Sequence, residues 1–427
     1  MQLYTKITIG LIVGVMVGVA ANLINAATGN HVLIDAIGVT KPLGTAFIRA
    51  ITMIVIPLVV ASLLVGVASL GDLRVLGRFA GKTLAYYITT TAIAVTIGLA
   101  LSNLVKPGGR IAPESRAQLL AEYSAQTEGS IALAAEKPAV KDLLLNMIPT
   151  NPIDAAANGD MLALIVFTLV FGAAASLLRD DLKRAFLGFF EAVNEISMIV
   201  IGWIMKTAPY AVFVLLAAVT ADFGFDVLRS LVLYTVTVIA GLLLHATFTY
   251  SLAVRVIGRV SPLYFFKRVR EAQILGFSTS SSNATLPVTL AVAERELGVS
   301  NRVASFVLPL GATINMDGTA LYQGVAVMFI AQVFGIDLHW MAQLTIVLTA
   351  TLASIGAAGV PSAGIITLLV VLQQAGVPET GIALILGVDR ILDMLRTAVN
   401  ITGDLSAATC IARTENELVE TEATSLA

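Results

Sequence analysis

Charged residues are scarce in this sequence, and their scarcity excludes an ordinary water-soluble domain. Only 13% of the 427 residues are charged, whereas 57% are apolar, and an average soluble domain carries roughly 25% charged residues. Apolar runs of about 20 residues or more, enough to span a bilayer as a helix, recur from one end of the chain to the other. The sequence therefore predicts an all-α integral membrane protein and excludes a soluble body with a single anchor.

Cysteine and histidine are also few, which removes several classes of site. The single cysteine, Cys410, allows no intramolecular disulfide. The three histidines form no H-E-x-x-H motif for zinc. An intramembrane protease built on Asp317 and Asp404 would carry a G-x-G-D motif, but Ile401 precedes Thr402, Gly403 and Asp404. We therefore predict no enzymatic activity, and a net charge of -2 gives no reason to expect a nucleic-acid partner.

Six uninterrupted apolar spans can be drawn, at about residues 7–28, 44–70, 83–105, 159–178, 186–220 and 227–256. An N-terminus inside the cell places eleven Lys and Arg residues in cytoplasmic connections and fewer on the opposite side, as the positive-inside rule requires. These residues are Arg74, Arg78, Lys82, Arg179, Lys183, Arg184, Arg255, Arg259, Lys267, Arg268 and Arg270. We predict a multi-pass protein of the plasma (inner) membrane with both termini cytoplasmic. The long segment 106–158 is then an external loop, to which we assign no site.

Two later apolar stretches are interrupted instead of running cleanly across. The first, at about 262–293, contains FSTSSSNATLP, and the second, at about 341–375, contains ASIGAAGVPSAG. Each is followed by a long helix with polar residues at depth, Asn315 and Asp317 after the first and Asn400 and Asp404 after the second. Broken segments in matching positions of two halves indicate a transporter binding site near the bilayer midplane. The sequence predicts two re-entrant hairpins.

Each interruption also has a purely structural interpretation. The hydroxyls of Ser280, Ser281 and Ser282 can bond back to the preceding helical turn. Gly356, Gly359 and Gly364 can serve close helix packing, although Pro361 favours a break. If the helices do break, their free N–H groups favour an anion and their free carbonyls favour a cation.

The last helix concentrates charge within otherwise apolar sequence. Five charged residues fall within 16 positions, and unpaired they would cost on the order of 12–17 kcal/mol in the membrane. They are Asp389, Arg390, Asp393, Arg396 and Asp404. A ladder of structural ion pairs is one explanation, but it leaves acidic residues in excess, and Asp317 adds another. A hard cation held by oxygen ligands is the natural partner for such carboxylates.

These residues lie in motifs that resemble the glutamate transporter family, the dicarboxylate/amino acid:cation symporters, and most closely its prokaryotic sodium-coupled aspartate transporters. The motifs are SSSNATLPVT, GATINMDGTALYQG, ASIGAAGVPSAG and ILDMLRTAVNITGD, in that order. The resemblance implies eight transmembrane helices plus two re-entrant helical hairpins, arranged as an inverted-repeat elevator transporter in a homotrimer within membrane lipid.

The resemblance also implies a division of the chain into a scaffold and a mobile transport domain. Residues 1–82 would hold scaffold helices one and two, and 83–105 the third helix, which belongs to the transport domain. Residues 106–225 would hold the external loop and scaffold helices four and five. Residues 226–427 would complete the transport domain with the sixth helix, both hairpins, the seventh and eighth helices and the C-terminal tail.

Site residues follow from the same resemblance, position by position. Arg396 would hold the substrate's side-chain carboxylate and Asp393 its ammonium. The implied substrate-binding set is Arg396, Asp393, Asn400, Thr397, Thr319, Ser281, Ser282, Val360 and Gly364, with Ala358 also in the covering stretch. The implied sodium ligands are Gly311, Asn315, Asn400 and Asp404 for one ion, Thr313, Ser354, Ile355 and Ala357 for a second, and Tyr87, Thr90, Thr91, Asn315 and Asp317 for a third.

One departure from the family pattern bears on the cargo. Many relatives carry a second arginine where this chain has Ser280 or Met394, whereas Arg390 is an extra arginine three residues before Asp393. Arg390 is within reach of a salt bridge to Asp393 by helical geometry. The function predicted is sodium-coupled symport of aspartate or glutamate. The alternatives are the same fold carrying a C4-dicarboxylate or a small neutral amino acid, or coupled to protons.

Overall fold

The computed structural model describes residues 3–68, 73–109, 145, 148–158, 160–223, 225–355, 359 and 363–419. Over these residues the regular structure is helical, apart from a single antiparallel bridge between Val299 and Leu418. Within the described residues, five helices are long and apolar enough to cross a membrane. The all-α, multi-pass prediction is thereby confirmed in its coarse form.

The first half of the chain contains the six predicted spans, with shifted ends. Its helices are α1 Leu3–Thr28, α2 Val32–Gly38, α3 Lys41–Ala68, α4 Leu73–Val105, α5 Pro152–Asn158, α6 Met161–Ala175, α7 Asp180–Phe223, α8 Phe225–Leu244 and α9 Ser251–Val256. A π-helical segment, His245–Tyr250, joins α8 to α9. Most of the predicted external loop, 106–158, lies outside the described residues.

Helix α7 is longer than its predicted span. It contains 44 residues, which at 1.5 Å per residue is about 66 Å, twice the roughly 30 Å of a bilayer's hydrocarbon core. The predicted start at residue 186 is six positions late because the first turns carry the charged residues Asp180, Asp181, Lys183 and Arg184. An apolar window cannot detect a helix that continues beyond the lipid.

Both interrupted stretches divide where the sequence predicts. The first forms α10 Pro262–Thr279 and α11 Ser282–Arg295, and Ser280 between them has a left-handed backbone with φ 52°. Ser281 caps α11, because its side chain accepts a hydrogen bond from the Ala284 N–H at 3.2 Å. The second stretch forms α14 Trp340–Ile355 and α15 Ala363–Gln374.

The prediction of one long helix through Asn315 and Asp317 is wrong, because the helix is broken at these residues. Helix α12 Asn301–Ile314 ends before Asn315, and α13 Asp317–Phe334 begins after Met316. The backbone of Asn315 has φ -94° and ψ 86°, outside the helical region. The side chain of Asn400 compensates the break by accepting a hydrogen bond from the Gly318 N–H at 2.7 Å. That partner lies 82 residues away, so local sequence does not reveal it.

The final helix is continuous. The helices of the chain pack in two groups. Helix α16 Ile382–Thr414 contacts α10, α12 and α13, while α13 packs against α4. Separately, α1 packs on α7, α7 on α3 and α3 on α6. The polar residues at depth that the sequence singles out belong to the first group.

Close packing of α1 on α7 depends on three glycines spaced four residues apart, Gly10, Gly14 and Gly18. A Cβ atom at Gly14 would lie 2.6 Å from the carbonyl oxygen of Phe213 and 3.1 Å from its Cα. Small residues at this spacing let membrane helices approach to backbone contact. A side chain at Gly14 would therefore push α1 away from α7.

We expect Gly14→Ala to lower the melting temperature of the purified protein in detergent by several degrees, because backbone atoms of α7 must move to admit the methyl group. Gly188→Ala, on α7 itself, is the matched control, since a Cβ there has no neighbour within 4 Å. Equal melting temperatures for the two variants would contradict this account of the packing.

Candidate functional site

Hydrogen bonds join the tips of the two predicted hairpins. The Ser281 hydroxyl donates to the carbonyl oxygen of Gly359 at 2.6 Å, and the Asn283 N–H donates to the same oxygen at 3.2 Å. The Ser281 hydroxyl is therefore bonded to the opposite hairpin, not to the preceding turn of its own helix. The Ser280 hydroxyl is buried and has no hydrogen-bond partner among the described residues.

A small cavity lies where Ser280, Ser282 and Gly359 meet α13 and α16. Its lining is mostly polar or glycine: Ser280, Ser282, Met316, Thr319, Gly359, Ala363, Gly364, Asp393, Thr397 and Asn400. Six of the predicted substrate-binding residues are among them, namely Ser282, Thr319, Gly364, Asp393, Thr397 and Asn400.

Arg396 is completely buried and contacts two residues of the cavity lining, Asp393 and Gly364. Its Nη1 is 2.8 Å from Asp389 Oδ1, and its Nη2 is 2.7 Å from Asp393 Oδ1. Its guanidinium carbon is 4.0 Å from the centroid of the Tyr322 ring, at cation–π distance. Two carboxylates and an aromatic face therefore compensate the loss of water around this charge.

The extra arginine of α16 also reaches the cluster. Arg390 Nη1 lies 3.6 Å from Asp393 Oδ2, on the carboxylate oxygen that Arg396 does not hold. This is the salt bridge that helical spacing predicts. Asp389 and Asp393 are thus balanced by two guanidiniums, and the cluster is electrically neutral as it stands.

Gly364 brings the start of α15 within contact distance of this cluster. A Cβ atom at Gly364 would lie 3.0 Å from Arg396 Nη2 and 3.2 Å from Thr319 Cγ2. Both distances are tighter than ordinary van der Waals contact. The absence of a side chain at Gly364 is therefore what leaves room beside the guanidinium.

Two further carboxylates lie deeper, each surrounded by neutral oxygen and nitrogen groups. Asp404 Oδ1 accepts a hydrogen bond from Asn315 Nδ2 at 2.9 Å. Asn315 Oδ1 is buried without a hydrogen-bond partner among the described residues. Asp404 is also beside Gly311, where a Cβ atom would collide with its Oδ1 and with the Tyr87 hydroxyl. Three of the four ligands predicted for the first ion, Gly311, Asn315 and Asp404, are in mutual proximity.

The fourth of those ligands, Asn400, is turned toward the start of α13. Its Oδ1 accepts from the Gly318 N–H, and its Nδ2 lies 3.3 Å from the Thr319 hydroxyl. Asn400 therefore connects the broken helix to the cavity.

Asp317 is in contact with one of the residues grouped with it for the third ion. The Thr91 hydroxyl donates to Asp317 Oδ1 at 2.5 Å, and the Thr90 hydroxyl donates to the carbonyl of Tyr87 at 3.2 Å. Asp317 is completely buried, and among the described residues no lysine or arginine is paired with it or with Asp404. Both carboxylates thus lack an arginine or lysine counter-charge in this part of the chain.

The second predicted ion site is only partly described. Thr313 donates to the carbonyl of Leu310 at 3.0 Å and Ser354 to that of Thr351 at 2.7 Å, each within its own helix. Ile355 ends α14. Gly356, Ala357, Ala358, Val360 and Pro361, which include one predicted ion ligand and one predicted substrate contact, lie outside the described residues.

The sequence analysis assigned no role to three residues that contact the buried charges of Arg396 and Asp317. Asp389 was counted only among the charges of the last helix. It lies seven residues before Arg396, on the same face of the helix, and this spacing could have identified it as a partner of Arg396. His245 and Tyr250 both contact Asp317. They come from a π-helical segment, which apolar periodicity cannot show.

The chain matches the model of the sodium:dicarboxylate symporter family over residues 3–414. It is 37% identical over 414 residues to a proton/sodium-glutamate symport protein of Bacillus subtilis (strain 168), covering 97% of this chain and 92% of the relative. It is 38% identical over 407 residues to excitatory amino acid transporter 1 of Ambystoma tigrinum, covering 84% and 74%. It is 31% identical over 425 residues to a C4-dicarboxylate transport protein of Bacillus subtilis (strain 168), covering 98% and 96%.

We expect Asp389→Asn to destabilise the protein, because the buried guanidinium of Arg396 then keeps a single carboxylate at short distance. Removing one partner of a buried ion pair costs about 3–5 kcal/mol, and the remaining Asp393 contact should limit the loss to the lower end. The measurement is thermal unfolding in detergent, with Asp35→Asn, at an exposed position, as the control. Wild-type stability of Asp389→Asn would show that Asp393 alone is sufficient for Arg396.

Proposed function

Since the chain belongs to the sodium:dicarboxylate symporter family, we propose that it carries an acidic amino acid, aspartate or glutamate, across the membrane together with sodium ions. The family consists of symporters, not enzymes, in agreement with the sequence-based prediction. The observation that carries the choice of substrate is the buried pair of Arg396 and Asp393, in which Asp393 lines the cavity and Arg396 lies 2.7 Å from it. One group attracts a carboxylate and the other an ammonium.

An exchange of partners explains how a charged substrate is accepted. The ammonium of the amino acid takes Asp393, which frees the Nη2 of Arg396 for the substrate's side-chain carboxylate. A guanidinium can hold a carboxylate through two parallel hydrogen bonds, and Arg396 Nε, which has no hydrogen-bond partner among the described residues, is the second donor beside Nη2. The main-chain carboxylate then meets Asn400 and the first hairpin tip around Ser281 and Ser282.

Sodium supplies the positive charge that the deeper carboxylates lack. Asp317 and Asp404 are buried, and their neighbours are hydroxyl, amide and carbonyl groups, the oxygen ligands that hard cations prefer. Breaks in α12–α13 leave backbone carbonyls free beside them. Neutralising both carboxylates requires at least two monovalent cations.

The helix packing supports the family architecture of eight transmembrane helices, two re-entrant hairpins and an elevator motion. We propose that α1, α3, α6 and α7 form the scaffold and that α8, α10–α16 and the part of α4 from residue 83 onward form the transport domain, with boundaries near residues 82, 105 and 225. The protein would work as a homotrimer in the plasma membrane with both termini cytoplasmic.

Uptake into proteoliposomes tests this function. Aspartate, glutamate, succinate and serine should be compared while sodium, potassium and proton gradients are varied separately. We expect the two acidic amino acids to accumulate on an inward sodium gradient. Preferential succinate uptake would favour a C4-dicarboxylate, the cargo named in one relative, although that cargo has no ammonium for Asp393. Accumulation on a proton gradient without sodium would favour proton coupling.

Arg396→Cys should abolish aspartate uptake while leaving or creating binding of a small neutral amino acid such as serine. The reason is that the variant loses the guanidinium that lies 2.7 Å from the cavity residue Asp393, whereas Asp393 itself remains to receive an ammonium. Competition binding with labelled serine measures this change. Aspartate binding at wild-type affinity in Arg396→Cys would mean that another residue recognises the side-chain carboxylate.

Asp404→Asn should raise the sodium concentration that half-saturates substrate binding or abolish uptake, because the amide keeps the shape of the site and loses its charge. Asp317→Asn should act in the same direction. The exposed Asp35→Asn provides the control. Unchanged sodium dependence in both buried variants would contradict their assignment as sodium sites.

A further inference from the structure

The π-helical segment between α8 and α9 brings two side chains onto one carboxylate. His245 Nε2 lies 3.2 Å from Asp317 Oδ2, and the Tyr250 hydroxyl donates to the same oxygen at 2.9 Å. Both residues are completely buried. Asp317 Oδ1, by contrast, accepts from Thr91 on α4. The π-helical segment therefore holds Oδ2 of Asp317, while Oδ1 faces Thr91, one of the predicted ion ligands.

The π-helical geometry is what makes the two contacts compatible. His245 and Tyr250 are five residues apart, and in a regular α-helix residues at that spacing point about 140° apart around the axis. The wider turn of a π-helix brings them to the same face, where their rings are 4.8 Å apart with an interplanar angle of 73°. Such insertions in a helix occur frequently at functional sites.

The surroundings of the imidazole define its hydrogen-bonding role. Nδ1 is buried and has no hydrogen-bond partner within the described part of the chain. A proton on Nδ1 would therefore be an unsatisfied buried donor, which is costly. The arrangement fits a neutral ring with its proton on Nε2, donating to Asp317 Oδ2.

We propose that His245 is a positioning residue of the sodium site at Asp317. By donating to Oδ2 it fixes the orientation of the carboxylate, so that Oδ1 is presented to the ion together with the hydroxyl groups on α4. This inference rests on the proposed sodium coupling. The proposal includes no contact between His245 and the substrate and no proton transfer by His245.

Two amide replacements separate a hydrogen-bonding role from a packing role. His245→Gln places an N–H near the position of Nε2, whereas His245→Asn is polar but too short to reach Asp317, and His245→Leu fills the space without a donor. Thr247→Val, at an exposed position of the same segment, is the control. The measurement is labelled aspartate binding to the purified full-length protein as sodium is varied, with aspartate affinity also determined at saturating sodium.

We expect His245→Leu and His245→Asn to raise the half-saturating sodium concentration by about tenfold or more, the loss typical of a hydrogen bond to a charged group. His245→Gln should stay close to wild type, and aspartate affinity at saturating sodium should change little in all variants. If His245→Leu does not fold, the comparison of Gln with Asn still decides the question.

Wild-type sodium dependence of His245→Asn would overturn the proposal, and so would equal losses in the Gln and Asn variants. A loss of aspartate affinity that persists at saturating sodium would also overturn it, since it would indicate general damage to the transport domain. Failure of the proposed function is recognised separately, because aspartate binding by the wild-type protein would then show no dependence on sodium.

Discussion

The guanidinium of Arg396 is the charge on which the arrangement of the site depends. It is completely buried in α16, where its charge would cost several kcal/mol without partners. Asp389 and Asp393 compensate that cost at 2.8 and 2.7 Å, and Tyr322 covers the flat face of the group. Asp393 also contacts Arg390. If Asp393 changes partners, Arg396 is still paired with Asp389. A substrate with a carboxylate and an ammonium satisfies both members of the Arg396–Asp393 pair at once.

The breaks in the helices provide polar backbone groups, which the charged cluster does not contain. The gap between α12 and α13 and the break at Ser280 interrupt the backbone hydrogen bonds of helices, and lipid could not satisfy the groups that are freed. Asn400 connects these features, since it bonds the first turn of α13 and also lines the cavity. In the account proposed here, occupation of the deep carboxylates by sodium and occupation of the cavity by substrate therefore favour each other. Coupling follows from residues shared by neighbouring sites.

Much of the fold could be predicted from the sequence, and the parts that could not have physical reasons. Apolar runs located the helices between residues 3 and 256, and the interruptions located the ends of helices at Thr279 and Ile355, because lipid imposes a strong pattern on composition. The break at Asn315 was missed because its compensation comes from Asn400, far along the chain. The salt bridge from Arg390 to Asp393 was predicted correctly from helical spacing, since both residues lie on one continuous helix. His245 was missed because its contact with Asp317 depends on a local change in helix type and on packing between distant helices. The roles assigned to the site residues stay predictions.

The most direct test of the account is the dependence of aspartate affinity on sodium in the wild-type protein. Binding should be measured at a series of sodium concentrations, with choline chloride keeping the ionic strength constant. Asp317 and Asp404 are two buried carboxylates whose described partners include no lysine or arginine. The account therefore predicts that the logarithm of the dissociation constant falls with the logarithm of sodium concentration with a slope of about two or steeper. An aspartate affinity that does not change with sodium concentration would contradict it.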